Sequence, residues 1–356
     1  MSKNLLDNRL ITLCLIPLII GSLTTLSFQP FNLTIINFIV VPIFFFLIIY
    51  INKKSKSIYR KKPYKKNLFL FGLFFGFGFY VSGISWITNS LTFDDNFKIL
   101  IPFTIILIPL FLSLFIAIPI LIIGPYLKFN FSSLIIFSGC LALSDFLRSK
   151  LLTGFPWNLW AYSASWSVEI LQILNKIGLF SFNLLIITLF TLPVIIFFKM
   201  SLLKKILSLS LVFLSILTLY VYGNYEINKN KKVLKTIKNK VFVKIISPNF
   251  DLEYGLDEKE IEERFKKLIR YSDPDKEKKT IFIWPEGVFS GYSYGEVYAF
   301  KNLISENFTR DHIIIFGSNK LDIQSGSYFN SMLVVDHEFK IIQRYDKRKL
   351  VPFGEF

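Results

Sequence analysis

Over its first 223 residues the chain carries only five carboxylates, Asp7, Asp94, Asp95, Asp145 and Glu169, against 18 lysines and arginines. Phenylalanine, isoleucine and leucine fill the intervals. A water-facing surface does not run so long with so few acids, so this feature confines the first part of the chain to a bilayer. Residues 224–356 hold 23 basic and 20 acidic side chains, the mixed charge of a domain that meets water. A single soluble globular domain is thereby excluded. So is a disulfide-stapled scaffold, because the two cysteines, Cys14 and Cys140, both lie inside apolar runs. A pI near 9.6 would suggest nucleic acid in a soluble protein. Here eight of the 18 cations fall between Lys53 and Lys66, where orientation in a membrane accounts for them and no nucleic-acid partner is implied.

A spanning helix needs about 20 apolar residues. Seven runs qualify, near 10–28, 32–51, 68–90, 99–124, 131–147, 177–198 and 203–223. The fifth is the weakest, being short and interrupted by Ser132, Ser133, Ser138 and Ser144. The first follows Lys3 and Arg9 as a signal peptide would, but its length, its lack of a small-x-small site and the immediate second run make it an anchor. Leu13 before Cys14 likewise fails the small-residue rule for lipoprotein cleavage. The positive-inside rule places KKSKSIYRKKPYKK (53–66) and the N-terminus in the cytoplasm. Alternation then puts 148–176 outside and makes everything after Gly223 extracytoplasmic. Lys229, Lys231, Lys232, Lys235, Lys238 and Lys240 stand against that orientation, although long translocated domains largely escape the rule.

From residue 241 the pattern becomes alternating strands and helices. VFVKII (241–246), TIFIW (280–284) and HIIIFG (312–317) read as strands, and MLVVD (332–336) with FKIIQ (339–343) as a hairpin across His337-Glu338. Helices are expected over 256–271, where Ile261, Phe265, Leu268 and Ile269 share a face, and near 296–307. The expected architecture is thus a multi-pass α-helical bundle of about seven spans over 1–223, with an extracytoplasmic aromatic loop at 148–176. An α/β layered domain of about 130 residues follows, over 224–356.

Candidate chemistry is sparse. No metal-ligand cluster and no phosphate-cradling glycine loop are present, and His312 and His337, the only histidines, read as structural. Glu286 follows the buried strand TIFIW and Pro285, at the carboxyl end of a core strand where α/β sites form, though a solvated loop acid would look the same. In YDKRKLVPFGEF (345–356), Lys347, Arg348 and Lys349 are either a solvated basic face or the source of an oxyanion partner. GFPWNLWAYSASW (154–166) holds Trp157, Trp160 and Trp166, and reads either as an interfacial aromatic belt or as a lipid-handling loop.

Together these blocks resemble one family, the bacterial apolipoprotein N-acyltransferases, membrane members of the nitrilase (carbon–nitrogen hydrolase) superfamily. TGFPWNLWAYS (153–163) is similar to the family's Gly-Phe-Pro-Trp segment, IWPEG (283–287) to its glutamate block, and YDKRKLVPFGEF to its lysine block; YFNSMLVVD (328–336) fits the strand before the last. Their order and the topology agree along the whole chain. The resemblance implies a ping-pong transfer without metal or cofactor. A cysteine takes an acyl chain from a phospholipid and passes it, through a thioester, to the α-amino group of a diacylglyceryl-cysteine at a lipoprotein N-terminus. It further implies Glu286 as the base that activates the thiol, Lys347 as the oxyanion partner and Glu355 as a supporting acid. Gly154, Phe155, Pro156, Trp157, Trp160 and Tyr162 become the implied substrate-binding loop. The implied setting is the bacterial cytoplasmic (inner) membrane, with the layered domain on the outer face and a monomer when complete.

One departure bears on activity. The family's nucleophilic cysteine lies downstream of the Pro-Phe-Gly-Glu block, at which this chain ends, and Cys14 and Cys140 match no nucleophile motif. The expectation is therefore an N-terminal portion of the enzyme, holding half of the nitrilase-like domain and inactive by itself. The alternatives are a non-catalytic membrane protein retaining a decayed half-domain for lipid or partner binding, a tethered amide hydrolase, and a transporter. Intact Glu286 and Lys347 weigh against decay, the 154–166 loop against an amidase, and the scarcity of ionisable residues in the spans against a transporter.

Overall fold

A computed structural model describes residues 8–58, 63–92, 95–151, 154–237, 241–250, 256–289, 292–321 and 326–348. Its helices are α1 (Ile16–Thr24), α2 (Asn37–Ile58), α3 (Tyr64–Ile84), α4 (Ile101–Ile123), α5 (Phe131–Arg148), α6 (Val168–Leu171), α7 (Leu174–Thr191), α8 (Leu202–Thr236), α9 (Glu258–Ser272), α10 (Tyr294–Val297) and α11 (Lys301–Asn307). Six helical stretches among the described residues are long and apolar enough to cross a membrane, running from Thr34–Lys56 to Leu202–Thr236. The first of the seven expected runs, Ile11–Ser27, is helical but shorter than the other six. The fifth, the weakest in sequence, is a full helix of 18 residues.

Its serines explain how that helix holds together. Asn130 caps α5 by accepting from the Ser133 N–H at 2.9 Å, and Ser133 Oγ accepts from the Lys128 N–H. Ser144 Oγ donates across to the carbonyl of Phe115 on α4. That carbonyl lies four residues before Pro119, which has no N–H to give it, so the serine supplies the donor the proline removed.

Small residues set the helix spacing. A Cβ on Gly21 of α1 would fall 2.1 Å from the Phe75 carbonyl oxygen, and one on Gly78 of α3 would fall 2.1 Å from that of Leu18. On the other side of α3, Gly72 and Gly76 meet Ala117 and Ser113 of α4. Lipid offers helices no hydrophobic drive to associate, so close backbone approach through small residues takes its place. Large rings fill the interior: Phe44, Phe45, Phe71, Phe75 and Phe137 are fully buried, and Phe44 stacks on Phe75 with centroids 3.8 Å apart.

The seventh expected run, 203–223, is the start of a longer element. Helix α8 continues unbroken through Gly223 to Thr236, 35 residues in all, and only 17% of its apolar window is buried. The chain divides into two compact units at Leu234 and Lys235, within the last turns of this helix.

The second unit is built on one mixed sheet: β1 (Phe242–Ile245), β2 (Thr280–Ile283), β3 (His312–Leu321), β4 (Tyr328–Val335) and β5 (Ile341–Asp346), in that spatial order. β1, β2 and β3 are parallel, and β3, β4 and β5 antiparallel. Helix α9 starts on a capping box, Asp257 with Glu260, and buries Ile261, Phe265, Leu268 and Ile269. With Phe282, Ile314, Phe316, Leu333 and Val335 of the sheet they form one core. The alternate strand residues point the other way, and there Val243, Ile245 and Met332 remain exposed. The expected hairpin forms, with a wider turn over 336–340 that seats Phe339 in the core at φ 61°. His312 is buried, accepting from the Thr309 N–H and bonding the Asp275 carbonyl, the structural role expected of it.

Candidate functional site

Strand β2 delivers Glu286. The Trp284 N–H donates to the Ile315 carbonyl at 2.8 Å, and its indole N–H donates to Ser272 Oγ at 3.0 Å, so the strand end is pinned on both sides. Pro285 then ends the ladder, and Gly287 turns the chain at φ 70°. The buried Arg264 of α9 donates to the Val288 carbonyl at 3.1 Å and holds the turn down.

Strand β5 delivers Lys347. The Ser331 hydroxyl donates to Asp346 at 2.6 Å, and the Lys347 N–H donates to the Asn330 carbonyl at 2.9 Å, extending the ladder by one residue. Strands β2 and β5 are three positions apart, about 14 Å at ordinary strand spacing. Gly317 on β3 closes that distance. A Cβ there would lie 3.2 Å from both Cα and Cγ of Glu286, so the bare backbone lets the glutamate lie across β3. The reach of the lysine side chain does the rest, and Lys347 Nζ stands 3.7 Å from Glu286 Oε1. The two sequence-predicted residues, 61 positions apart, are thus brought together on the open face of the sheet. The carboxylate is well exposed and the ammonium about one third exposed. Chemically the pair offers a proton acceptor beside a fixed positive charge. Glu355 lies outside the described residues.

The aromatic loop belongs to the first unit. Gly154 opens it at φ 88°, where a Cβ would strike the Ser149 carbonyl oxygen at 2.1 Å. Arg148, at the end of α5, is 1% exposed and anchors the loop: its Nη1 donates to the carbonyls of Phe155 (2.6 Å) and Trp157 (2.7 Å), and its Nη2 to Asp145 (2.9 Å). The other Asp145 oxygen accepts from Asn183 Nδ2 on α7, and Asn183 Oδ1 accepts from the Ala161 N–H of the loop, each at 2.9 Å. Tyr80 of α3 lies against the guanidinium. Asp145, one of the five carboxylates of the first 223 residues, is a buried member of this network. Sequence reading missed Arg148 and Asn183. The available signal was an opposite charge pair three residues apart in a helix with no other charge.

The loop's aromatics divide. Trp160, expected to meet substrate, is 3% exposed and stacks on Phe79 at 5.5 Å, within the bundle core. Trp157 is exposed and packs beside Trp86 at 5.0 Å, with Phe155 next to it; Pro156 is exposed and Tyr162 half-buried. Trp166 is exposed and its indole N–H donates to Thr34 Oγ1. The surface the loop presents is therefore that of Pro156, Trp157 and Trp166, with Phe155 half-buried beneath it. Among the described residues no group of three or more His, Cys, Asp or Glu is placed to hold a metal ion.

A multi-pass bundle followed by a mixed sheet with a glutamate–lysine pair defines a membrane protein carrying a layered α/β domain. The family profile for the apolipoprotein N-acyltransferase N-terminal domain matches residues 20–192. Proteins named apolipoprotein N-acyltransferase from Rhodopseudomonas palustris (27% identical) and Bradyrhizobium diazoefficiens (28%) align with 96% of this chain and 64% of their own length. The one from Rickettsia prowazekii, 28% identical, aligns with 96% of this chain and 66% of its own length. The chain is thus similar to the apolipoprotein N-acyltransferase N-terminal domain over residues 20–192, and to proteins of that name along nearly its whole length. It spans about two thirds of the length of these relatives.

Proposed function

We propose that this protein takes part in lipoprotein N-acylation, the transfer of an acyl chain from a phospholipid to the α-amino group of an N-terminal diacylglyceryl-cysteine. The observation that carries the reading is the 3.7 Å approach of Lys347 to Glu286. In the family's chemistry a thiol of pKa about 8.5 must lose its proton to attack an ester, and a tetrahedral oxyanion must be stabilised as it forms. Glu286 is the base for the first need and Lys347 the charge for the second. Glu355 supports the lysine. The exposed Pro156 and Trp157 and the half-buried Phe155 meet the lipid substrates, with Gly154 and Tyr162 shaping the loop. An apolar groove of about 410 Å³ between α4 and α5, bordered by Phe111, Ile122, Leu143 and Leu151, offers an acyl chain a place at the bundle surface.

The thioester forms on a cysteine that these 356 residues do not contain, since Cys14 and Cys140 lie on membrane helices. Residues 224–356 are then the first half of an extracytoplasmic nitrilase-like domain in the inner membrane, acting as a monomer when complete. The experiment is expression of the chain together with the segment that supplies the cysteine, in a bacterium depleted of its own lipoprotein N-acyltransferase, with mass spectrometry of lipoprotein N-termini. A third acyl chain that disappears with Glu286→Gln and with Lys347→Met is expected, each substitution lowering the rate by about 10²-fold or more. Full activity in either variant would overturn the assignment. A hydroxylamine-sensitive acyl thioester on Cys14 or Cys140 of purified 1–356 would overturn the placing of the nucleophile.

A further inference from the structure

Helix α8 has charge at both ends and none between. Lys204 and Lys205 lie in its first turn, residues 206–225 are uncharged, and Lys229, Lys231, Lys232 and Lys235 follow, with Glu226 the one acid. The structure makes this a matter of height, because the helix does not break where the apolar run stops. At 1.5 Å per residue Lys205 and Lys229 are about 36 Å apart, and Lys204 and Lys235 about 46 Å. A bilayer's hydrocarbon is about 30 Å thick, and 40–45 Å with its headgroups. A spanning α8 therefore sets both lysine groups at headgroup level and neither inside the hydrocarbon. Tyr220 and Tyr225, exposed just before the second group, mark the interface between the two media.

The four lysines of the second group are exposed. The nearest carboxylate, Glu226, reaches only Lys229, at 3.9 Å. Lys231, Lys232 and Lys235 fall within about 100° of one another around the helix. Such a cluster on a rigid stem, held within a Debye length of lipid phosphates, attracts anionic lipid. We propose that the emergent turns of α8 form a binding collar for anionic phospholipid headgroups, in which Lys229, Lys231, Lys232 and Lys235 contact phosphate. The collar is independent of the acyl-transfer reading, since it uses none of those residues. It also gives a physical role to the lysines that the orientation rule left unexplained.

The test uses the purified chain in detergent micelles doped with phosphatidylglycerol or with phosphatidylcholine, counting retained lipid by native mass spectrometry. The variant K229Q/K231Q/K232Q/K235Q should lose at least about tenfold of its preference for phosphatidylglycerol. Replacement of the same four lysines by arginine should keep the preference, and about 0.5 M salt should weaken it in the parent chain. A control variant, K53Q/K54Q/K56Q, should leave the contribution of the collar in place. Unchanged phosphatidylglycerol preference in the four-glutamine variant would overturn the proposal. Displacement of the lipid by millimolar inorganic phosphate would also overturn it, by showing a site for free phosphate in place of a membrane headgroup.

Discussion

Arg148 and Asp145 sit one turn apart on α5 and form a 2.9 Å ion pair in which the guanidinium is 1% exposed. Loop carbonyls, Asn183 and the Tyr80 ring surround the pair, and Arg148 Nε is buried without an acceptor among the described residues. Removing one member of such a pair strands a charge that has no water to turn to. Arg148→Met is therefore expected to lower stability by about 3–5 kcal/mol, and the double variant Arg148→Met/Asp145→Leu to recover a large part of it. Thermal unfolding in detergent, followed by tryptophan fluorescence, measures both. The double variant should still show a shifted emission spectrum, because Trp157 has lost the bond that fixes its backbone.

Gly317 and Glu286 make a separate prediction. Gly317→Ala inserts a methyl group 3.2 Å from Glu286 Cα and Cγ, so the glutamate must lift and its distance from Lys347 must grow. With the cysteine-bearing segment present, a fall of about tenfold in the proposed lipoprotein N-acylation is expected, equivalent to about 1.4 kcal/mol. Midpoints of unfolding should barely move, which separates a displaced carboxylate from a damaged sheet.

The Ser144–Pro119 relationship can be tested by a double-mutant cycle. Ser144→Ala should cost about 0.6–1.7 kcal/mol, since it leaves the Phe115 carbonyl without a donor in hydrocarbon. In a Pro119→Ala background the same substitution should cost almost nothing, because residue 119 then has an N–H for that carbonyl.

Asp346 governs the pH response of the strand that carries Lys347. Its carboxyl is held below the usual range, first by the Arg344 side-chain Nε–H donating to it and then by the Ser331 hydroxyl. A group with a depressed folded pKa contributes stability that is complete above its unfolded value, near about 3.9, and is lost as pH falls through the folded value. The end of β5 should thus be firm at neutral pH and loosen only in acid. Hydrogen exchange at the Lys347 amide, corrected for intrinsic rate, should show protection falling below about pH 4 in the parent chain. Asp346→Asn should flatten that dependence.

Most of the architecture was legible because the signals were local. Apolar runs, the shared face of Ile261, Phe265, Leu268 and Ile269, and strand alternation each act over a few residues, and the elements they imply are present. The end of α8 was not legible: a sudden change from apolar to basic residues looks like a boundary, yet helix propensity does not fall there, and the helix runs on. The site was half legible. The Glu286 and Lys347 blocks carry recognisable residues, while the contribution of Gly317 depends on strand order, which a single sequence does not state. Trp160 shows the converse, since an indole that packs against Phe79 and one that greets a lipid have the same letter.

Among the described residues the helices cover one face of the second unit's sheet, and the other shows Val243, Ile245 and Met332 beside the glutamate–lysine pair. For a cell making this chain, that asymmetry is a problem of handling. Until that face is covered, newly folded copies present a sticky apolar plane between β1 and β5, which stand at the two margins of the sheet among the described residues. It is the kind of surface that proteostasis machinery captures and that otherwise nucleates clumping. Yield, chaperone association and protease sensitivity will register that plane sooner than any melting curve.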